Sequence, residues 1–597
     1  VDFGQLFMAL SFFLLLAAII LMALLFGLHL EKRFVEIGTL KALGYARRTI
    51  EKIILNEALF VTLAGALLGA LMGVAYNKLI FAALNTIWND IVMTDILQEA
   101  VLVKTLFTGI TASIVLAVVT IWFRLKKKFR QASRSLQSNI FDRSGRSKQG
   151  WPRLAAFTTA SMAIGLVLYE AITSQSLSTG VFFMVGTLML ICFVLVFWIT
   201  ISGNQKSSTG VLTRGILIKQ NLSRNRARSM RIMVMFALGT FITISTGLNK
   251  KDLYSNANQQ KSGTGGFHWY LETTLPILYD LNVSENQQEA GIEHNMSFVQ
   301  LRKNEGDDAS CSNLNRVASP RILGIPSEKF RGRFTFIQRT DDLNADAPWE
   351  SLANELPDGI IPAVIDQTVI QWGLGKKVGD MLIYANESGS EMKLKIVGGL
   401  ANSIFQGNVL IDEQLFLKHF PSNSGAHIML VDGNTDNLQQ SESELKRAFR
   451  NIGLEIQLAA DRLAMFNQVE NTYLTIFLLL GGLAMILGTI GLGISLARNI
   501  LDRGSEIGIL RAIGFTQTAI LRIISYEHVL LLLAGTLAGL LAAFIATLPS
   551  ILSSYVPASW QTALLIASLI VLNGLFWIVG ITRSYLQKDV LLSLKEE

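Results

Sequence analysis

Cysteine is almost absent: the 597 residues hold two, Cys192 and Cys311, with no CxxC and no Cys/His cluster. That excludes a disulfide framework and a structural zinc site. Charge is scarce, at 16% Asp, Glu, Lys and Arg, against roughly 25% in a typical soluble domain. The ten prolines are too few for collagen-like or proline-rich material. At 51% hydrophobic residues, intrinsic disorder is excluded, since it needs low hydrophobicity and high net charge. No HExxH, no Gly-x-Ser-x-Gly and no GxxxxGK[ST] occurs, so no zinc hydrolase, serine hydrolase or ATPase site is visible.

What remains is two kinds of protein in one chain. Residues 250–470 carry 29 acidic and 20 basic residues and seven of the ten prolines, whereas the rest carries 16 acidic and 32 basic. Outside that acidic segment the uncharged runs are long enough to cross a bilayer, which needs roughly 20 mostly apolar residues. Nine such runs are expected: 5–28, 58–77, 105–123, 154–172, 179–202, 232–249, 472–497, 529–548 and 561–582. Pro549 and Pro557 are expected to break the last two apart with a short turn. The fold class is thus a polytopic α-helical membrane protein with an α+β extracytoplasmic domain.

Lysine and arginine in the short loops give the orientation. Basic loops follow the first span (Lys32, Arg33, Lys41, Arg47, Arg48, Lys52), the third (124–153), the fifth (Lys219, Arg224, Arg226, Arg228, Arg231) and the seventh (Arg498, Arg503, Arg511, Arg522). They alternate with acidic or neutral loops such as 85–100. All basic loops then face the cytoplasm and 250–470 lies outside, which separates Cys192, within a span, from Cys311. Nine spans ending in an inner tail place residue 1 outside, and the sequence starts with Val1, without methionine or a signal peptide's charged region and cleavage site. The expectation is at least one further span upstream, ten in full.

The chain also repeats itself at an offset of 470 residues. EIGTLKALGY (36–45) matches EIGILRAIGF (506–515), and 16 of the 37 positions from Arg33 to Gly69 are identical in the second copy. Two apolar helices matched by chance would share leucines; they would not align Glu, Gly, Ala and Gly in one frame. Each copy reads span, inner loop, span, outer loop, span, a pseudo-dimer of three-span units. The second span of each unit carries small residues every four positions: Gly65, Gly69 and Gly73, then Gly535, Gly539 and Ala543. Such spacing lets helix backbones approach closely in lipid, either between the two units or within one.

The repeated inner loops read as short amphipathic helices, with Ile37, Leu40 and Leu43 on one side and Lys41 turned away. Gly44 and Gly514 fall where a helix end wants a positive φ. One reading is a helix resting on anionic lipid. The other is a docking helix that receives force from a dimeric soluble partner, which two symmetric copies favour. Glu57 and Glu527 are placed as caps, salt-bridge partners or part of the coupling.

These EIGxLKALG-type loops, each between the first two spans of a three-span unit, resemble the FtsX-like permease domain of ABC transporters, the superfamily that includes MacB-type permeases. Two copies in one chain resemble its ten-span, YbbP-like members, with a first span and often a first periplasmic domain absent here. The resemblance covers about 1–125 and 470–590, and reaches 210–470 through Leu217–Phe241 and Gly373–Leu400. It implies these boundaries: a first FtsX-like domain at 1–125, a basic linker at 126–153, two additional spans at 154–202 and a second linker at 203–231. A span at 232–249 would lead into a MacB-like domain at 250–470, followed by a second FtsX-like domain at 471–585 and a tail at 586–597. It further implies that Glu36, Gly38, Lys41 and Gly44, with Glu506, Gly508, Arg511 and Gly514, contact a separate ABC ATPase homodimer. ATP and Mg would sit on that partner; none is bound by this chain. Other expected partners are membrane lipids and a periplasmic accessory protein or hydrolase, with no nucleic acid. The resemblance points to the bacterial inner membrane and to export or extraction of a lipid, lipoprotein or hydrophobic compound. The alternative is a signalling or regulatory scaffold, for antimicrobial-peptide sensing or cell-wall hydrolase activation.

Within 250–470, Gly379–Gly398 is expected to form a hairpin around Asn386–Ser390, and Lys393–Phe416 to give strands followed by a helix. KSGTGGF (261–267) reads as a flexible hinge rather than a phosphate loop. GDDASC (306–311) reads as a turn rather than a metal site.

Overall fold

The computed structural model describes residues 3–86, 102–137, 150–173, 179–202, 220–223, 226–249, 254, 256–293, 296–306, 319–432, 438–553 and 560–587. The chain divides into two units, a sheet unit at 251–472 and a helical unit built from 2–250, 473–550 and 559–597. The helix Ala459–Asp502 is unbroken; its residues to Thr472 belong to the first and the remainder to the second.

Among the described residues, eight helices of the helical unit are long and apolar enough to cross a membrane: 47–82, 103–123, 150–172, 180–202, 228–249, 474–501, 517–548 and 561–584. The first expected span is the helix Phe3–Lys32, whose apolar stretch is the shorter Phe12–Gly27. Helix Gln517–Ser553 continues through Pro549 instead of breaking there. A proline so near a helix end forfeits one hydrogen bond of the last turns, which costs less than ending the helix in the apolar phase. Residues 554–559, with Pro557, lie outside the described residues.

Helix Arg226–Asn249 is the hub of this unit. Met235, Ala237, Thr240 and Phe241 are fully buried. The Phe241 ring lies 5.5 Å from Phe13 and 5.4 Å from Phe183. Two of its hydroxyls turn back on their own helix: Thr243 Oγ1 donates to the Gly239 carbonyl at 2.7 Å and Thr246 Oγ1 to that of Ile242 at 2.8 Å, whereas the buried Thr240 Oγ1 and Ser245 Oγ have no partner among the described residues. Such local bonds let threonine face neighbouring helices without an unmet donor.

Among the described residues the sheet unit has ten strands: β1 (Trp269–Ile277), β2 (Ser297–Asn304), β3 (Arg321–Ile325), β4 (Phe336–Arg339), β5 (Ile361–Asp366), β6 (Met381–Ala385), β7 (Glu391–Leu400), β8 (Asn408–Asp412), β9 (Ala426–Asp432) and β10 (Leu454–Leu458). Their order is β10-β1-β9-β2-β3-β8-β5-β7-β4, with β6 on β7. The sheet is mixed: β3–β8 and β5–β7 run parallel, the other pairs antiparallel. β5 and β8 are buried at every position, as strands covered on both faces should be.

The hairpin expected around Asn386–Ser390 is the β6–β7 pair, where Asn386 Oδ1 accepts the Ser390 amide at 2.7 Å. Residues Lys393–Phe416 supply β7, β8 and the helix Glu413–His419. The KSGTGGF segment is a tightly packed turn rather than a hinge. A Cβ on Gly263 would lie 1.9 Å from the Asn402 carbonyl oxygen, one on Gly265 would strike the Phe334 ring, and Thr264 and Phe267 are buried. The glycines there permit close approach, not motion. Of the GDDASC segment only Gly306 is described; 307–311, with Cys311, lie outside the described residues.

Candidate coupling elbows

Each repeat folds its inner loop into an elbow. In the first, helix Phe3–Lys32 gives way at Arg33 to the short helix Phe34–Ala42, and the chain turns back at Gly44 into helix Arg47–Thr86. In the second, Arg503 separates Ala459–Asp502 from Gly504–Ala512, and Gly514 precedes Gln517–Ser553.

The turn-back is built alike in both. Gly44 has φ +88° and Gly514 φ +101°, the left-handed region where a side chain is disfavoured. The Gly44 amide donates to the Lys41 carbonyl at 3.1 Å and the Tyr45 amide to that of Leu40 at 3.1 Å. Gly514 and Phe515 repeat the pattern on Arg511 and Leu510 at 3.0 Å each. These paired bonds satisfy the last carbonyls of the short helix and stop it at a fixed angle. The apolar residues that hold the elbow are repeated too. Leu30, Ile37, Ile50 and Ile54 are buried in the first, and Ile500, Ile507, Ile520 and Ile524 at the equivalent positions of the second.

An ion-pair latch closes each elbow. Arg33 pairs with Glu36 at 3.6 Å and with Glu57 on the returning helix. Arg503 does the same, with Glu506 at 3.0 Å and Glu527 at 3.2 Å, and Asn499 adds a donor to Glu527 at 3.4 Å. The two latches differ in setting. The side chains of Arg33 and Glu57 are 31% and 43% exposed, those of Arg503 and Glu527 17% and 7%. Of the alternatives for Glu57 and Glu527, the ion pair is the arrangement present. The arginines were not singled out from the sequence, although each stands at an identical position of the repeat; the partner, 24 residues away, gives no local signal.

Glu36 and Lys41 are exposed, Gly38 is half-buried with open space above its Cα, and Gly508 and Arg511 are half-buried. Leu43 does not join Ile37 and Leu40 inside. It is 71% exposed, as its counterpart Ile513 is at 69%, and Tyr45 and Phe515 stand exposed beside them. Each elbow thus ends in a bare apolar tip around a glycine.

The small-residue stripes differ between the copies. Gly535 and Gly539 face helix Arg226–Asn249 so closely that Cβ atoms there would lie 2.6 Å from the Met233 oxygen and 2.5 Å from the Ala237 oxygen, and Ala543 is fully buried. A Cβ on Gly65, Gly69 or Gly73 would meet nothing within 4 Å among the described residues.

Residues 8–131 and 478–587 match the family model described as FtsX-like permease C-terminal. These two segments, together less than half of the chain, are similar to an FtsX-like permease domain. Each FtsX-like segment contains one complete elbow, latch and tip included. The apolar helices make this a multi-pass membrane protein. Among solved structures, the chain is similar to the periplasmic region of MacB from Actinobacillus actinomycetemcomitans. That match has 13% identity and covers 35% of this chain and 94% of that one, at a TM-score of 0.21, too low to carry a conclusion. No curated protein matches the chain.

Proposed function

We propose that this chain is the membrane subunit of an ABC transporter that couples ATP hydrolysis on a separate ATPase dimer to movement of the 251–472 unit outside the bacterial inner membrane. The work would export or extract a lipid, lipoprotein or other hydrophobic compound. The observation that carries the reading is the pair of elbows, alike in latch, capped turn and bare apolar tip. A two-fold partner needs two such contacts, and an exposed Leu–Gly–Tyr or Ile–Gly–Phe tip suits a pocket on it.

In this scheme the tips with Gly44 and Gly514 seat in the ATPase, and Glu36, Gly38 and Lys41, with Glu506, Gly508 and Arg511, line the contact. Closure of the ATPase pushes on the short helices, and the arginine latches keep each elbow from folding under the load. The second elbow leads directly into Ala459–Asp502, which at 44 residues is a strut of about 66 Å at 1.5 Å per residue. Its outer end is fastened within the sheet unit. Arg462 Nε donates to the Ile404 carbonyl at 3.1 Å and its guanidinium lies 3.9 Å over the Tyr270 ring, while Asn467 Nδ2 donates to Asn402 Oδ1 at 2.8 Å.

The test is reconstitution with the cognate ATPase in nanodiscs. Leu43→Asp with Ile513→Asp is expected to abolish ATPase binding and permease-stimulated hydrolysis, and Glu36→Lys with Glu506→Lys to weaken both. Binding and stimulation that survive both pairs would overturn the docking assignment.

A further inference from the structure

The inner end of the first three-span unit is charged in a way that the second is not. Only the 103–123 stretch of helix Val103–Gln137 is apolar enough to cross a membrane. At 1.5 Å per residue the whole helix reaches about 52 Å, against a hydrocarbon thickness of about 30 Å. It therefore runs on past the apolar phase through RLKKKFRQASRSLQ (124–137), which carries six cations and no acid. Arg124, Lys126, Lys127 and Lys128 fall within the first five positions, about 7 Å of rise, which is the depth of the headgroup layer.

The neighbouring residues hold this segment at the membrane surface. Trp122 is 45% exposed, at the level where indole rings collect between hydrocarbon and water. Lys126 Nζ lies 4.8 Å over that ring, so the lysine reaches back toward the bilayer. Leu125, between the cations, is buried with Leu30, Ile37, Ile50 and Ile54 in the core of the first elbow. That packing brings the start of helix Arg47–Thr86 alongside, where Arg47, Arg48 and Lys52 are exposed. Glu51 lies among them and is paired with Arg47 at 2.7 Å, while Glu36 and Glu57 are held by Arg33.

The second unit repeats the elbow without this charge. Gln517 and Thr518 stand where the first copy has Arg47 and Arg48. Its third helix, Trp560–Gln587, crosses as far as Ser584, and residues 585–597 carry two lysines against three acids. A two-fold partner calls for features present twice, as the latches and tips are. A cationic end present once answers to something without that symmetry, and the surrounding bilayer meets each unit separately. We propose that the inner end of the first unit binds an anionic phospholipid, whose phosphate is drawn by Arg48, Lys52, Lys126, Lys127 and Lys128 while its acyl chains run beside Trp122. Each lysine or arginine next to a span strengthens such attraction by about fivefold. The inference stands apart from the transport reading: loss of the lipid would leave tips and latches as they are.

Native mass spectrometry of the full chain tests it, by titration with dioleoylphosphatidylglycerol and with zwitterionic dioleoylphosphatidylcholine. Saturable retention of the anionic lipid over the zwitterionic one is expected, and excess glycerol 3-phosphate should not displace it. Lys126→Gln, Lys127→Gln and Lys128→Gln together should weaken retention by about a hundredfold, and arginine at all three positions should restore it. Arg124, Arg130, Arg134 and Arg153 keep the loop basic in the glutamine variant, so its orientation is preserved. Arg583→Gln, at the inner end of the second unit, should change nothing. Equal retention of the two lipids, displacement by glycerol 3-phosphate, a glutamine variant that binds as the parent does, or a loss as large in Arg583→Gln would each overturn the proposal.

Discussion

One residue pair in the repeat offers a controlled experiment. Gly69 and Gly539 occupy the same position of the two copies, so an added methyl alters helix propensity equally, by up to about 1 kcal/mol in alanine's favour. That gain cancels in the difference between Gly69→Ala and Gly539→Ala. What survives is packing. At 69 the new Cβ meets nothing within 4 Å; at 539 it would lie 2.5 Å from the Ala237 oxygen, 2.7 Å from Thr240 Cβ and 3.0 Å from the Phe241 nitrogen. Two of those atoms are backbone, so one helix must shift bodily, an overpacking cost of about 1–3 kcal/mol. The expected order is Gly69→Ala as stable as the parent or more so, and Gly539→Ala less stable than Gly69→Ala by that amount. Equilibrium unfolding in mixed micelles with rising dodecyl sulfate measures the gap. Equal midpoints for the two variants would refute the claim that one stripe is a helix contact and the other an open face.

Three further outcomes follow from the same geometry. Arg503→Ala strands Glu527 in a buried setting and should cost about 3–5 kcal/mol, whereas Arg33→Ala breaks a half-exposed pair worth under about 1 kcal/mol; thermal melts of the two variants in micelles compare them directly. Gly514→Val forces a branched side chain to φ +101° and should cost about 1–2 kcal/mol, while Gly514→Asn, which tolerates that region, should fall nearer the parent. In the sheet unit, burial pushes the Glu272 carboxyl up, but Arg321 and Lys303 outweigh it and hold it below the ordinary glutamate value. Its stabilisation is thus full above pH 4.5, the ordinary value, and is lost as pH falls through the folded-state value. Acid unfolding followed by tryptophan fluorescence should therefore show a shallower decline below pH 4.5 for Glu272→Gln than for the parent.

Much of this architecture was legible in the sequence because the repeat supplies a second copy of each local signal. The capped turns at Gly44 and Gly514 follow from a glycine after a helical stripe, and the hairpin at Asn386–Ser390 from turn residues between alternating strands. Partners far apart in the chain were not legible. Glu57 was legible as a candidate salt-bridge partner, but Arg33 is unremarkable until the elbow folds and brings the two together. The hub helix Arg226–Asn249 was also hidden, for a reason particular to lipid. It is less apolar than Gly180–Ser202 yet far more buried, since hydroxyl-bearing and small side chains are driven inward away from hydrocarbon. The KSGTGGF segment misled because glycine marks both loose chain and tight approach, and only the neighbouring Asn402 and Phe334 distinguish them.

The hydroxyls of that hub have a mechanical consequence. Thr243 and Thr246 spend their protons on the turn above, and the approach to Gly535 and Gly539 is held by dispersion across bare backbone. Contacts of that kind carry no directional bond that must snap before one rod can slip or swivel against the next. Where the hub meets Gln517–Ser553 the helical unit is thus built like a plain journal bearing, close in clearance and smooth-faced, as the proposed coupling to an ATPase would require.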